Sequence, residues 1–291
     1  MAVQPDAQIM SLDPYAVPSR RGFIATSLMA GFTVAAGPVQ AQTAILTPAD
    51  GLTAGEVKVP AAGGEIPAYR AMPAAGGPFP VVLVVEEIFG VHEYIKDTCR
   101  RLAQLGYMAV APELYARVAD PKTLTTVQAG VQAAGKLADS QVMADLDASA
   151  AWAKASGKGN TAKLAITGFC WGGRIVWLYA AHNPKLGAGV AWYGRLAGQT
   201  NALQTKYPLE LAAQIKAPVL GLYGEADQGI PMTDVNKMRE ALKAAKSKSM
   251  IVSYPGAPHA FHADYRPSYR RDAAEDGWKR LQAWLVGHKV A

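Results

Sequence analysis

Three polar residues stand where apolar runs stop. Cys170 lies in "LAITGFCWGGR", between glycines, just before the apolar segment "IVWLYAA" begins. Asp227 follows "VLGLYG" within "GEADQGIP", and His259 follows "MIVSYPG" within "PGAPHAFH". A thiol, a carboxylate and an imidazole in this order can carry out nucleophilic acyl transfer. The histidine exchanges a proton with the thiol, and the aspartate fixes its tautomer and stabilises the imidazolium. His262 competes with His259 for that role, and His259 is preferred because it comes first after the apolar run. His92, His182 and His288 suit surface roles.

The glycines around Cys170 have a steric purpose. Gly168-Phe169-Cys170-Trp171-Gly172 matches a sharp turn that exposes its central side chain, where bulky flanking residues would clash. A helix starting at Trp171 would point its positive end at the sulfur and favour the thiolate. Two carboxylates, Glu86 and Glu87, follow the apolar run "PVVLVV", an expensive place for unpaired charge. One of them with a raised pKa could hold or accept the thiol proton, and a structural salt bridge is the other reading. The backbone N–H of Ile88 and that of Trp171 are placed to form an oxyanion hole.

The other cysteine, Cys99, falls in an apolar helical stripe and reads as structural, although a Cys99–Cys170 disulfide is also open. No CxxC and no Cys/His ligand spacing supports a zinc or thioredoxin-like site.

The elements that must carry these residues alternate. "EVKVP" and "EIPAYRAM", separated by Gly63-Gly64, predict a hairpin. "PVVLVV" predicts a strand buried on both faces. Ile95, Cys99, Leu102 and Leu105 mark a helix, followed by the strand "YMAVAP". Beyond it a helix over Met143 to Ala155, the strand "KLAITGF", the helix "WGGRIVWLYAA" and the strand "AGVAWY" are expected. "APVLGLYG", a helix from Met232 to Ala245, "KSMIVSYPG" and a closing helix in "RRDAAEDGWKRLQAWLVGH" complete the series. Such alternation predicts an α/β fold, a mostly parallel central sheet flanked by helices on both faces, with its chemistry at the carboxyl ends of the strands. The order nucleophile, acid, histidine is that of the α/β-hydrolase fold.

Residues 1–41 read as an address. Arg20 and Arg21 in "SRRGFI" precede a mildly apolar stretch that ends in the small-x-small site Val39-Gln40-Ala41. The pattern resembles a twin-arginine signal, which implies the export machinery as a partner, a folded cargo and a periplasmic or secreted destination. Residues 42–291 would then be a single α/β-hydrolase domain. Half of the 291 residues are hydrophobic and 18% are charged, a globular balance. The net charge of +6 is scattered, without the aromatic-basic interleaving of a nucleic-acid face. After the N-terminal region no tract of 18 strongly apolar residues suggests stable membrane association.

"EEIFGVHEYIKDTCRRLAQLGYMAVAPELYAR", "ITGFCWGGR", "GEADQGIP" and "PGAPHAFHADYRPSY" together resemble the dienelactone hydrolase (carboxymethylenebutenolidase) family, over roughly Val57 to Leu285. The resemblance implies a cofactor-free hydrolase that opens an enol-lactone through a thioester at Cys170, with Asp227 and His259. It places the family's glutamate at Glu87, where it would pair with the resting thiol until substrate displaces it. Lactone-specific members bind the substrate carboxylate with arginines, one of them four residues after the histidine. That position is Ala263 here, and Arg266 is the nearest arginine. A broader carboxylesterase or thioesterase with the same triad, or a non-catalytic binding protein of this fold, are the rival readings.

Overall fold

Eight strands form one sheet in the order β1-β2-β4-β3-β5-β6-β7-β8 in the computed structural model, which describes residues 44–291. β1 (Leu52–Ala61) and β2 (Gly64–Pro73) make the expected hairpin, with Ala61 paired to Gly64 across the turn. Gly63 takes a positive φ of 81° there, a conformation that suits glycine. β2 then pairs antiparallel with β4 (Met108–Pro112). The remaining pairs are all parallel.

β3 (Phe79–Val85) lies between β4 and β5 (Gly159–Phe169), and Val81 to Val85 are fully buried. A strand covered on both faces needs an unbroken apolar run, which is what its sequence supplies. The chain leaves β3 through α1 (Glu93–Gln104) to reach β4 on one side, then returns to β5 on the other. The winding direction therefore reverses between β3 and β5. A crevice opens at such a point, at the carboxyl ends of the strands.

Ile95, Cys99 and Leu102 form the buried stripe of α1, whereas Leu105, expected to extend it, caps the helix and is exposed. Helix α2 (Val127–Ala134) was not legible in the sequence. It is short and interrupted by Gly130, which weakens any helical signal. Gly130 is required there because a Cβ would stand 2.5 Å from the carbonyl oxygen of Ile88. α2 thus packs directly on the segment after β3. Helix α3 (Asp139–Ala155) starts four residues before the expected Met143. The chain continues through α4 (Trp171–His182), β6 (Ala188–Trp192), β7 (Val219–Gly224), α5 (Met232–Ala244), β8 (Met250–Tyr254) and α6 (Arg271–Gly287). The twin-arginine pattern lies outside the described residues. No helix among the described residues is long and apolar enough to cross a membrane.

Candidate active site

The turn between β5 and α4 is built around Cys170, whose backbone sits at φ 55° and ψ −114°. That is strained for a residue with a side chain, and of order 1–3 kcal/mol is typical for such a position. Neighbours over-determine it. The Cys170 N–H donates to the Trp192 carbonyl at 3.0 Å, and its own carbonyl accepts from Gly173 and Arg174. A Cβ on Gly168 would lie 2.4 Å from the Gly172 oxygen, and one on Gly172 would lie 2.5 Å from the Val85 oxygen. Only glycine lets the turn pack this tightly against β3. Neither cysteine is in a disulfide. Burial pushes the Cys99 thiol up, as suits a core residue.

β3 and β5 pair in parallel with Val85 opposite Gly168. Ile88 and Trp171 each follow three residues later, so the two segments leave the sheet side by side. Trp171 is the first residue of α4, and its N–H has no acceptor within the helix.

β7 and β8 are in register with Gly224 opposite Tyr254. Their loops continue the pairing, with Glu225 N–H donating to Tyr254 and Ala226 N–H to Ala257, each at 3.0 Å. This brings Asp227 Oδ2 within 2.6 Å of His259 Nδ1. The N–H groups of Gly229 and Ile230 donate to the other carboxylate oxygen at 2.8 and 3.2 Å. Burial disfavours the imidazolium, but the charges of Asp227 and Cys170 and hydrogen bonding to both raise His259 to about 10. With Nδ1 taken by Asp227, Nε2 is the nitrogen left for Cys170.

His262 is settled by its surroundings. Its Nδ1 lies 2.5 Å from the Tyr94 hydroxyl, and its ring stacks on Phe169 and Trp278. Burial holds it well below the usual histidine range, so it stays neutral and part of the core.

The two glutamates differ from expectation. Glu87 is not the carboxyl of raised pKa. Its Oε2 accepts from the Tyr265 hydroxyl at 2.6 Å and lies 3.3 Å from His92 Nε2. Burial pushes its carboxyl up, but hydrogen bonding from His92 and Tyr265 and the Arg266 charge outweigh this and hold it at about 2. Glu86 is the one driven well above the ordinary range, by burial and by Glu113 beside it, while its Oε1 accepts from Leu114 N–H at 2.9 Å. The carboxyl of raised pKa is therefore Glu86, and Glu87 is held as an anion.

His92 is likewise no surface residue. It is packed edge-on against Tyr265 and stacked on Tyr94, and burial lowers it. Only its position five residues beyond Glu87, before the first turn of α1, hinted at this. Tyr265, buried six residues after His259, carried no signal at all. Arg266 is buried too, with its Nε donating to the Tyr265 hydroxyl at 3.0 Å and its guanidinium over the Phe89 ring. Among the described residues no cluster of His, Cys, Asp or Glu could hold a metal ion.

The dienelactone hydrolase family model matches residues 66–288. The chain belongs to the dienelactone hydrolase family. It is 62% identical over 287 residues to a Methylorubrum extorquens protein named "Putative carboxymethylenebutenolidase", covering 98% of this chain and 99% of that one. An Escherichia coli (strain K12) protein of the same name is 53% identical over 90% of this chain and 97% of its own length. The crystal structure of "Putative Dienelactone Hydrolase" from Klebsiella pneumoniae superposes with a TM-score of 0.79 at 53% identity, over 81% of this chain and 98% of that chain. The mostly parallel eight-stranded sheet is that of the α/β-hydrolase fold.

Within this dienelactone hydrolase fold, Ala263 is fully buried and offers no charge, and Arg266 faces Glu87 and Tyr265. The bulk at Trp171 is accommodated by Tyr115, whose ring centroid is 5.1 Å away.

Proposed function

We propose that this dienelactone hydrolase family member is a carboxylic ester hydrolase that opens an enol-lactone or activated ester through a thioester on Cys170. The observation that carries the reading is the 2.6 Å contact between Asp227 and His259 at the same sheet end as the strained Cys170 turn.

His259, held by Asp227, takes the thiol proton as the sulfur attacks the substrate carbonyl. The carbonyl oxygen gains negative charge, which the N–H groups of Ile88 and Trp171 receive. His259 gives its proton to the departing alkoxide or enolate oxygen as the C–O bond breaks, leaving an acyl-thioester. A water then loses its proton to His259 while its oxygen attacks the thioester, and the C–S bond breaks to release the acid. Glu87, ionised, acts from the edge of the site by balancing Arg266, so that no uncompensated cation sits beside the sulfur.

The name of its relatives favours an enol-lactone substrate. The absent arginine at Ala263 and the engaged Arg266 favour a broader ester substrate, the second reading. We propose also that residues 1–41 direct export, so that the enzyme works in the periplasm or outside the cell.

The deciding assay compares wild type, Cys170→Ala and Cys170→Ser on p-nitrophenyl acetate and on dienelactone. Turnover by wild type, lost in Cys170→Ala, is expected. Equal background rates in all three proteins would overturn the hydrolase reading, and turnover of the simple ester alone would select the second reading.

A further inference from the structure

Two hydrogen-bond donors at the site are used by neither the triad nor the oxyanion hole. The Trp171 indole Nε1 and the Tyr115 hydroxyl are both buried, and neither has a hydrogen-bond partner among the described residues. Their rings lie 5.1 Å apart, tilted by 41°. Both are close to the nucleophile. Trp171 is its chain neighbour, and the Tyr115 phenol feels the charges of Glu86 and Cys170. Tyr115 is also held in place, because its N–H donates to Glu113 Oε1 at 3.3 Å and the adjoining Leu114 N–H donates to Glu86. A buried donor left without an acceptor is costly, and a matching group on a ligand recovers that cost.

The charges nearby decide which acceptor fits. Arg266 is engaged by Glu87 and Tyr265. Glu87 carries a full negative charge that would repel a second anion in the same low-dielectric space. An uncharged oxygen meets the two donors without that penalty.

We propose that Trp171 and Tyr115 form a specificity subsite beside Cys170 that takes an uncharged carbonyl or ether oxygen on the acyl portion of the substrate. The inference rests on the hydrolase reading above and narrows it, from lactones and esters in general to neutral ones bearing a second acceptor. A substrate carboxylate is disfavoured at this subsite.

Three p-nitrophenyl esters of matched length test it with the full chain: valerate, with no acceptor; levulinate, with a ketone; and hemisuccinate, with a carboxylate. Wild type should rank levulinate above valerate and hemisuccinate last by kcat/KM. In Tyr115→Phe and in Trp171→Phe the levulinate-to-valerate ratio should fall about tenfold, the usual worth of one such hydrogen bond. Thermal unfolding of both variants checks that they are folded. A ratio unchanged within about twofold in either folded variant, or a wild-type preference for hemisuccinate over levulinate, would overturn the subsite. No turnover of any ester by wild type, matched by Cys170→Ala, would instead overturn the hydrolase reading and the subsite with it.

Discussion

Glu86 and Glu87 are adjacent in the chain and opposite in state. Successive side chains leaving a strand point to opposite sides, so Glu86 meets Glu113 and the Leu114 N–H while Glu87 meets Tyr265, His92 and the Arg266 charge. One is driven toward the neutral acid and the other is held as an anion. The difference lies in their partners, since both are fully buried.

Glu87 should support the fold in a pH-dependent way. Its carboxyl is held at about 2 against an ordinary value of 4.5. Its contribution is therefore present above pH 4.5 and lost as pH falls toward about 2. The size is on the order of 3 kcal/mol. Glu87→Gln should unfold at lower denaturant concentration at pH 7, with the gap to wild type narrowing below pH 4.5. A gap that does not change with pH would contradict this assignment.

Glu86 works in the other direction. With its native pKa raised, its contribution is present at acid pH and is lost as pH rises through the native value. Glu86→Gln keeps an acceptor for Leu114 N–H and cannot ionise. The melting temperature of this variant should fall less than that of wild type as pH rises above 4.5, and parallel curves would argue against a raised Glu86.

Cys170 is one of the groups that raise His259. In Cys170→Ala the His259 imidazole should titrate below the wild-type value of about 10, read by NMR of its ring nitrogens. The same titration in both proteins would show that sulfur and imidazole are not coupled.

Asp227→Asn would leave the Nδ1 contact sterically intact while removing the charge that holds the tautomer. Hydrolysis by this variant should drop in kcat by about 10³–10⁴-fold with little change in melting temperature. A loss below about tenfold would remove Asp227 from the catalytic set.

Export is tested with residues 1–41 fused to a folded reporter in a bacterial host. The reporter should reach the periplasm, and Arg20→Lys with Arg21→Lys should keep it in the cytoplasm. Cytoplasmic retention of the unaltered fusion would refute the signal.

The elements, and the places of Cys170, Asp227 and His259 just after strands, were legible from local information. An apolar run such as Val81 to Val85 needs burial on both faces, and glycines at 168 and 172 admit only a close-packed turn. Those constraints act within a few residues, and so the strands, α1, α4 and the Cys170 turn could be read from the chain. The short α2 escaped because its packing on Ile88, more than its own pattern, keeps it in place.

By itself, then, the sequence determined the order of elements and which residues arrive at the strand ends. Tertiary structure alone decided what each one faces. His259 rather than His262 meets Asp227 because β8 is in register with β7. Glu87 rather than Glu86 is the anion because Tyr265, 178 residues away, reaches it with Arg266. Protonation states follow from such distant neighbours, since a buried group takes its charge from whatever the fold sets against it.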